Sequence, residues 1–252
     1  TPSGMEGGNV EVIILGMGLS RSACPYDAEV WSVNNGYKQT MLCLPCHTDR
    51  RKTVILEPRK DKMCCPDCGF STPVPRIDKI FLAHTQCWDY DGDALFNWEE
   101  LNYLAAKGVE IINTHRVKGL NATIFPIKTI LKRFKRNYFS DSIAYMVAYA
   151  LYKGCTKLRF YGVDMHTMSE YAQEKGGIEY WLGRAEERGV EIELSQGTAV
   201  LQTATGHPYG TNISQRLYYY DNKGRKRLYK QLKKPPDFKS NFNALDKIRT
   251  PQ

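Results

Sequence analysis

Val10-Glu-Val-Ile-Ile-Leu15-Gly16-Met-Gly18-Leu-Ser20-Arg21 decides the fold of this chain. A short apolar run bounded by glycine reads as a strand buried on both faces, the kind found in parallel sheets. Working outward, residues 30–33 read as a second strand leading into Asn34-Asn35-Gly36, and residues 77–83 as a third. Residues 97–107 read as a helix opened by a capping box, Asn97 with Glu100, and stopped at Gly108. A fourth strand follows at 109–112. Beyond Ser140-Asp141-Ser142, the residues Ile143, Met146, Val147, Ala150 and Leu151 form one helical stripe that Gly154 closes. Residues 158–163 form a strand ending at Asp164, residues 178–188 a helix ending at Gly189, and residues 190–194 a last strand. This alternation predicts an α/β fold: a mostly parallel sheet with helices on both faces, related to the Rossmann fold. Residues 41–75, rich in Cys, Pro and charge, interrupt the alternation as an insertion.

The chain has 252 residues, 42% hydrophobic and 12% aromatic, enough for a sizeable core. No apolar run approaches the roughly 20 residues that span a bilayer. The stretch before Met5 lacks the basic and apolar segments of a signal peptide. A soluble cytoplasmic protein with no membrane partner is expected. The net charge is +8, and its distribution is uneven. Residues 216–239 hold nine cations (Arg216, Lys223, Arg225, Lys226, Arg227, Lys230, Lys233, Lys234 and Lys239) against Asp221 and Asp237, a net of seven. Such a segment attracts an anionic partner, nucleic acid first, although basic tails are also common as solvated ends.

Inside the insertion the spacing is Cys43-x-x-Cys46, then 18 residues, then Cys65-x-x-Cys68. Two Cys-x-x-Cys turns offer four thiolates to one tetrahedral zinc ion. The segment has few apolar residues, so metal would supply folding energy that the core cannot. Cys64 is an alternative to Cys65, and His47 an alternative to one of the cysteines. Cys24, Cys87 and Cys155 stand apart. Arg50, Arg51, Lys52, Arg59, Lys60 and Lys62 lie between the knuckles, partly offset by Asp49, Glu57 and Asp61.

Gly16-x-Gly18 after the first strand is how α/β folds bring backbone amides to phosphate. Arg21 stands where a dinucleotide fingerprint has its third glycine, and no Gly-x-x-x-x-Gly-Lys-Ser/Thr loop occurs. A plain tight turn is the competing reading. Asn34-Asn35, Thr114-His115-Arg116 and Asp164-Met-His166 fall at other strand ends, where ligands of such sheets gather. Asp89-Tyr-Asp91-Gly-Asp93 has the look of an incomplete calcium loop, or of the Asp-x-Asp motif of nucleotide-sugar transferases. It reads best as an acidic lead-in to the Asn97 cap and leaves a catalytic divalent metal open.

Two blocks resemble the bacterial sialyltransferase-like fold and the related hydroxymethylpterin diphosphokinase-like family. The first is Gly-x-Gly-x-Ser followed by Val30-Trp-Ser-Val-Asn-Asn35. The second runs from Tyr138 through Gly154 to Gly162-Val-Asp164. The resemblance implies that residues 5–210 form a nucleotide-binding catalytic domain; the zinc ribbon expected at 41–75 and the basic extension at 211–252 are not part of that family's core. It implies that Gly16, Gly18 and Ser20 meet the donor phosphate or ribose and that Asn34 holds the nucleotide. Ser140 and Ser142 would face the donor, and Asp164 and Tyr171 would lie near the leaving phosphate. Arg21, Asn35 and His115 join them as candidate contacts. The family's catalytic histidine has no clear counterpart, and His166 and Glu170, beside Asp164, are the nearest candidates. The implied activity is glycosyl transfer from a nucleotide-sugar to a hydroxyl. The ribbon and basic tail point to an acceptor in DNA, a hydroxymethylated base flipped from the stack, in a bacterial or phage-infected cell. A pyrophosphate-transferring enzyme like the pterin kinases and a non-enzymatic zinc-ribbon nucleic-acid binder are the alternatives.

Overall fold

The computed structural model describes residues 10–84, 96–165, 170–202, 218–220 and 226–228. Cys87, the acidic stretch at 89–93, His166 and most of the basic segment lie outside the described residues, as do the side chains of Glu170 and Tyr171. The chain divides into two compact units, Thr1–Gln202 and Thr203–Gln252.

In the first unit the elements run β1 (Glu11–Leu15), β2 (Glu29–Val33), α1 (Leu44–Arg50), β3 (Glu57–Arg59), β4 (Lys62–Cys64), β5 (Ser71–Pro73), β6 (Lys79–Leu82) and α2 (Trp98–Ala106). They continue with β7 (Glu110–Asn113), β8 (Thr123–Ile124), α3 (Ile127–Phe134), α4 (Ser142–Lys153), β9 (Lys157–Tyr161), α5 (Glu170–Glu186) and β10 (Glu191–Leu194). In the second unit β11 (Tyr218–Tyr220) pairs antiparallel with β12 (Lys226–Leu228), a hairpin within the basic segment.

Seven strands form one sheet in the order β10-β9-β1-β2-β6-β7-β8, and every neighbouring pair is parallel. The chain winds outward from β1 to β8, then returns to the other side of β1 with β9. The direction of winding therefore reverses between β1 and β9, and a crevice opens at the carboxyl ends of such a pair. Alternation along the strands sends successive side chains to opposite faces. Val12, Ile14, Trp31, Val33, Phe81, Ile112, Leu158 and Phe160 pack with residues of α3, α4 and α5. On the other face Ile80, Leu82 and Ile111 pack with Phe96 and with Leu101 of α2. Ile13, Leu15 and Val30 instead meet Met41, Val54, Leu56 and the ribbon cysteines. Helices α3, α4 and α5 thus cover one face, while on the other the Cys-rich insertion, with its short helix α1, covers β1 and β2. No described helix is long and apolar enough to cross a membrane.

Three local expectations change. Asn97 caps α2, accepting from the amides of Glu99 and Glu100, but Glu100 does not close the box: its carboxylate takes the Tyr37 hydroxyl at 2.8 Å and pairs with Lys38. The amphipathic helix α3 was not anticipated. Helix α5 begins at Glu170, eight residues before the expected start at 178, because Gly176 and Gly177 lie inside it rather than ahead of it. Their cost to helix propensity has a steric reason. A Cβ at Gly177 would come within 1.9 Å of Ser140 Oγ, and one at Gly176 within 2.7 Å of the Tyr138 hydroxyl.

The same helix supplies a control, since a Cβ at Gly183 meets nothing within 4 Å. Gly183→Ala should stabilise by up to about 1 kcal/mol, the usual helix gain. Gly177→Ala should destabilise despite the same gain. Urea unfolding midpoints decide this, and equal stabilisation by both would show that α5 does not press on Ser140.

Candidate functional site

The loops after β1 and β9 lie against each other with no room for side chains. Gly16 N–H donates to Tyr161 O and Gly18 N–H to Gly162 O, each at 2.8 Å. A Cβ on Gly16 would stand 2.2 Å from Gly162 O, and one on Gly18 2.5 Å from Asp164 Oδ2. Gly162 has a φ of +70° and faces Gly16 O in return. The Ser20 hydroxyl locks this contact. It accepts from Gly162 N–H at 2.7 Å and from the Ser195 hydroxyl at 2.9 Å, and it donates to Asp164 Oδ1. The Ser20 amide donates to Asp164 Oδ2 at 3.1 Å. Both carboxylate oxygens of Asp164 are therefore held by one residue of the β1 loop.

Beside this lock opens a cavity of about 450 Å³, a size that suits a small-molecule ligand. It is walled by the β1 and β9 loops, by Val33 and Asn34 at the end of β2, by Asp141, Ser142 and Ile143 at the start of α4, and by Glu174 of α5. Asn34 sits in the left-handed region, φ +47°, with its amide on Phe81 O. Its side-chain oxygen is buried without a protein partner. Asp141 caps α4 by accepting Ala144 N–H at 3.0 Å, and it also accepts the Ser140 hydroxyl. Burial raises its pKa, against the pull of the Ala144 amide and the Ser140 hydroxyl. Three carboxylates, Asp141, Asp164 and Glu174, line the cavity, and no described Lys, Arg or His does. Positive potential at its wall comes from the first turn of α4, where amides and helix dipole converge.

The insertion gathers a second set. The sulfurs of Cys43, Cys46, Cys65 and Cys68 lie within 4.8 Å of one another, with Cys43–Cys68 at 3.4 Å and Cys46–Cys65 at 3.8 Å. A tetrahedral site with Zn–S bonds of about 2.3 Å has edges of about 3.8 Å, so one ion fits this set. Cys64 and His47 fall outside it. The thiols divide: burial pushes Cys43 up to about 12 and raises Cys46, while at Cys65 burial is outweighed by the backbone amides of Cys68 and Asp67, which bring it down to about 7. The insertion is tied to the β1 loop, because Ser22 Oγ donates to Leu42 O at 2.6 Å.

No family model matches the chain, and neither does any curated protein. Among solved structures it is similar to the sialyltransferase CstII from Campylobacter jejuni in complex with the substrate analogue cytidine-5'-monophosphate. That similarity is 14% identity and a TM-score of 0.35, over 73% of this chain and 79% of that one. The structure of CstII with CMP-3FNeuAc gives 16% identity and 0.37 over 73% and 79%. The structure with a trisaccharide acceptor and CMP gives 18% and 0.37 over 73% and 80%.

Of the residues expected at the site, Gly16, Gly18, Asn34, Ser142 and Asp164 line the cavity. Gly16 and Gly18 donate their amides to Tyr161 O and Gly162 O, so their lack of side chains serves the close contact with the β9 end. Ser20 is buried in the lock, 4% exposed, and not on the cavity wall. Arg21 is also buried and donates from Nη2 to Gly36 O at 3.0 Å; burial lowers its pKa. Ser140 donates to Glu174 O at 2.7 Å, behind the wall. Asn35 is exposed and precedes a 3-10 turn. His115 lines a different cavity with Arg116 and Lys118. His166 and the side chains of Glu170 and Tyr171 lie outside the described residues. Asp141 and Glu174 were not anticipated. The Ser140-Asp141-Ser142 turn carried a signal for Asp141; Glu174 had none, since the start of α5 was not legible.

Two measurements follow. Ser20→Ala removes a hydroxyl with three partners and should cost about 1–3 kcal/mol. In a double-mutant cycle with Asp164→Asn the costs should fall short of additivity by about 1 kcal/mol or more. Additive costs would mean that the two residues act separately. For the cysteine set, metal analysis should give about one zinc per chain, and Cys65→Ser should lose metal and stability together. A metal-free protein with unchanged stability would refute the site.

Proposed function

We propose that this protein is a nucleotide-sugar-dependent glycosyltransferase whose acceptor is a hydroxyl of nucleic acid, a hydroxymethylated base in DNA, and that its four-cysteine set holds a structural zinc. The observation that carries the enzyme reading is the cavity of about 450 Å³ at the winding reversal of a parallel sheet, lined by Asn34, Asp141, Ser142, Asp164 and Glu174. Carboxylates suit ribose and sugar hydroxyls, the unpartnered Asn34 oxygen suits a base amino group, and the first turn of α4 suits the phosphate.

In the proposed reaction the acceptor oxygen forms a bond to the anomeric carbon while the bond from that carbon to the phosphate oxygen breaks. The bonding pair leaves with the nucleotide. The acceptor proton passes to a general base drawn from Asp164, His166 and Glu170. Asp164, fixed at both oxygens by Ser20, has its direction set before substrate arrives, which removes an orientation cost from the reaction. The DNA acceptor is supported by the exposed cations of the ribbon and by the basic segment at 216–239.

A thermal-shift survey of nucleotide-sugars should find one donor that raises Tm, and that donor should label hydroxymethylated duplex DNA. Asp164→Asn should lower kcat by about 100-fold or more, in the range of general-base and positioning losses. Glu174→Gln should mainly weaken donor binding. Full activity in both variants would move the chemistry away from this cavity, and the absence of any stabilising nucleotide-sugar would reject the enzyme reading.

A further inference from the structure

Residues 111–140 contain seven cations and no Asp or Glu. The seven are Arg116 and Lys118 after β7, Lys128, Lys132 and Arg133 on α3, and Lys135 and Arg136 beyond it. All are exposed. Three cations of the central sheet are neutralised by contrast: Lys79 holds Glu29 and Glu110, Lys157 holds Glu191 and Glu193, and Arg159 holds Glu11 and Asp27. Among the described residues none of the seven has a carboxylate partner. Arg133 and Arg136 donate only to the carbonyls of Tyr152 and Lys135.

The folding reason for α3 lies on its other side. Ile130 and Phe134 are buried in the main core, and Ile127 packs against it. This pins the helix so that Lys128, Lys132 and Arg133 stay in water. At the end of β7, His115, Arg116 and Lys118 line a cavity of about 510 Å³ with Val117, Leu120, Ala122 and Ile124, again without an acid. This end of β7 is on the same carboxyl edge of the sheet as the candidate active site. It lies two strands beyond β2, about 10 Å at the usual strand spacing.

We infer that this face, from the β7–β8 loop along α3, is a docking surface for the phosphodiester backbone of nucleic acid. The inference rests on the nucleic-acid part of the proposed function and assigns that contact to the folded domain as well as to the tail. Clustered unpaired cations on a rigid frame are the electrostatic footprint of backbone binding. An anionic membrane is the weaker fit, because interfacial binding needs a broad apolar face beside the cations. Here the apolar side of α3 is turned into the core. The β7–β8 loop cations are on the edge of the sheet where the cavity opens, while Arg133 meets Tyr152 O in the last turn of α4, away from the cavity at that helix's start. A polyanion anchored along α3 would thus reach the cavity's edge only at the Arg116–Lys118 end.

The test uses the full chain and a fluorescent 20-base-pair duplex over a salt series, with phosphatidylserine vesicles in parallel. Lys128→Gln/Lys132→Gln and Arg116→Gln/Lys118→Gln change exposed side chains, and circular dichroism checks that each variant is folded. Each pair should weaken duplex binding about tenfold or more at low salt. Each should also flatten the log–log salt slope by about 2, near 0.9 per lost phosphate contact. If the wild type binds duplex and both variants bind it equally well with equal slopes, this surface is overturned while the nucleic-acid reading stands. If the wild type binds vesicles or nothing, and no duplex, both fall.

Discussion

Two loops from opposite ends of the folded domain meet at Gly16 and Gly162, and everything near the candidate site depends on how closely they meet. The parallel pairing of β1 with β9 brings the backbones together, and the absence of Cβ atoms lets them touch. Ser20 then uses its hydroxyl three times to bridge them, which fixes the Asp164 carboxylate at the cavity wall. Fixing a carboxylate in this way matters more than its mere presence, since a site that is loose by an ångström loses most of its chemical advantage. The second wall is set by a similar device. Ser140 reaches the Glu174 carbonyl through the gap left by Gly177 and so ties the start of α4 to α5.

The Cys-rich insertion is part of the domain's core rather than an ornament on it. Met41, Val54 and Leu56 pack on Ile13, Leu15 and Val30, the face of β1 and β2 that a helix would otherwise cover. Cys-rich insertion, β1 loop and cavity are thus mechanically in series: four sulfurs gather in the insertion, the insertion meets the β1 loop through Ser22 and Leu42, and Ser20 of that loop holds Asp164.

The sequence made the parallel core legible because its strands are short apolar runs ended by Gly or Asn, and because α4 carries a full stripe between an Asp cap and Gly154. The grouping of the four cysteines was legible from spacing, and geometry was needed to choose Cys65 over Cys64 and to leave His47 out. Helix α3 carries a stripe too, at Ile127, Ile130, Leu131 and Phe134, but it is only eight residues long and sits among cations. The first half of α5 was hidden by Gly176-Gly177, whose reason is a contact with residues nearly forty positions away. The role of Ser20 was hidden for the same reason. Its partners Gly162, Asp164 and Ser195 are all over 140 residues distant, and local pattern cannot tell a buried hydroxyl lock from a phosphate contact.

That separation also orders events during synthesis. Ribbon closure spans 25 residues between Cys43 and Cys68, whereas the lock between Ser20 and Asp164 spans 144. Closing a loop costs more as it lengthens, and distant parallel pairings form slowly. Chain emerging from a ribosome can therefore knot its ribbon early, while β1 and β2 wait with one face covered and one bare. The partner strand β9 arrives only after α3 and α4 have been made. Until then the nascent domain exposes the apolar side of an unfinished sheet, so its most vulnerable interval falls between the emergence of Cys68 and that of Asp164.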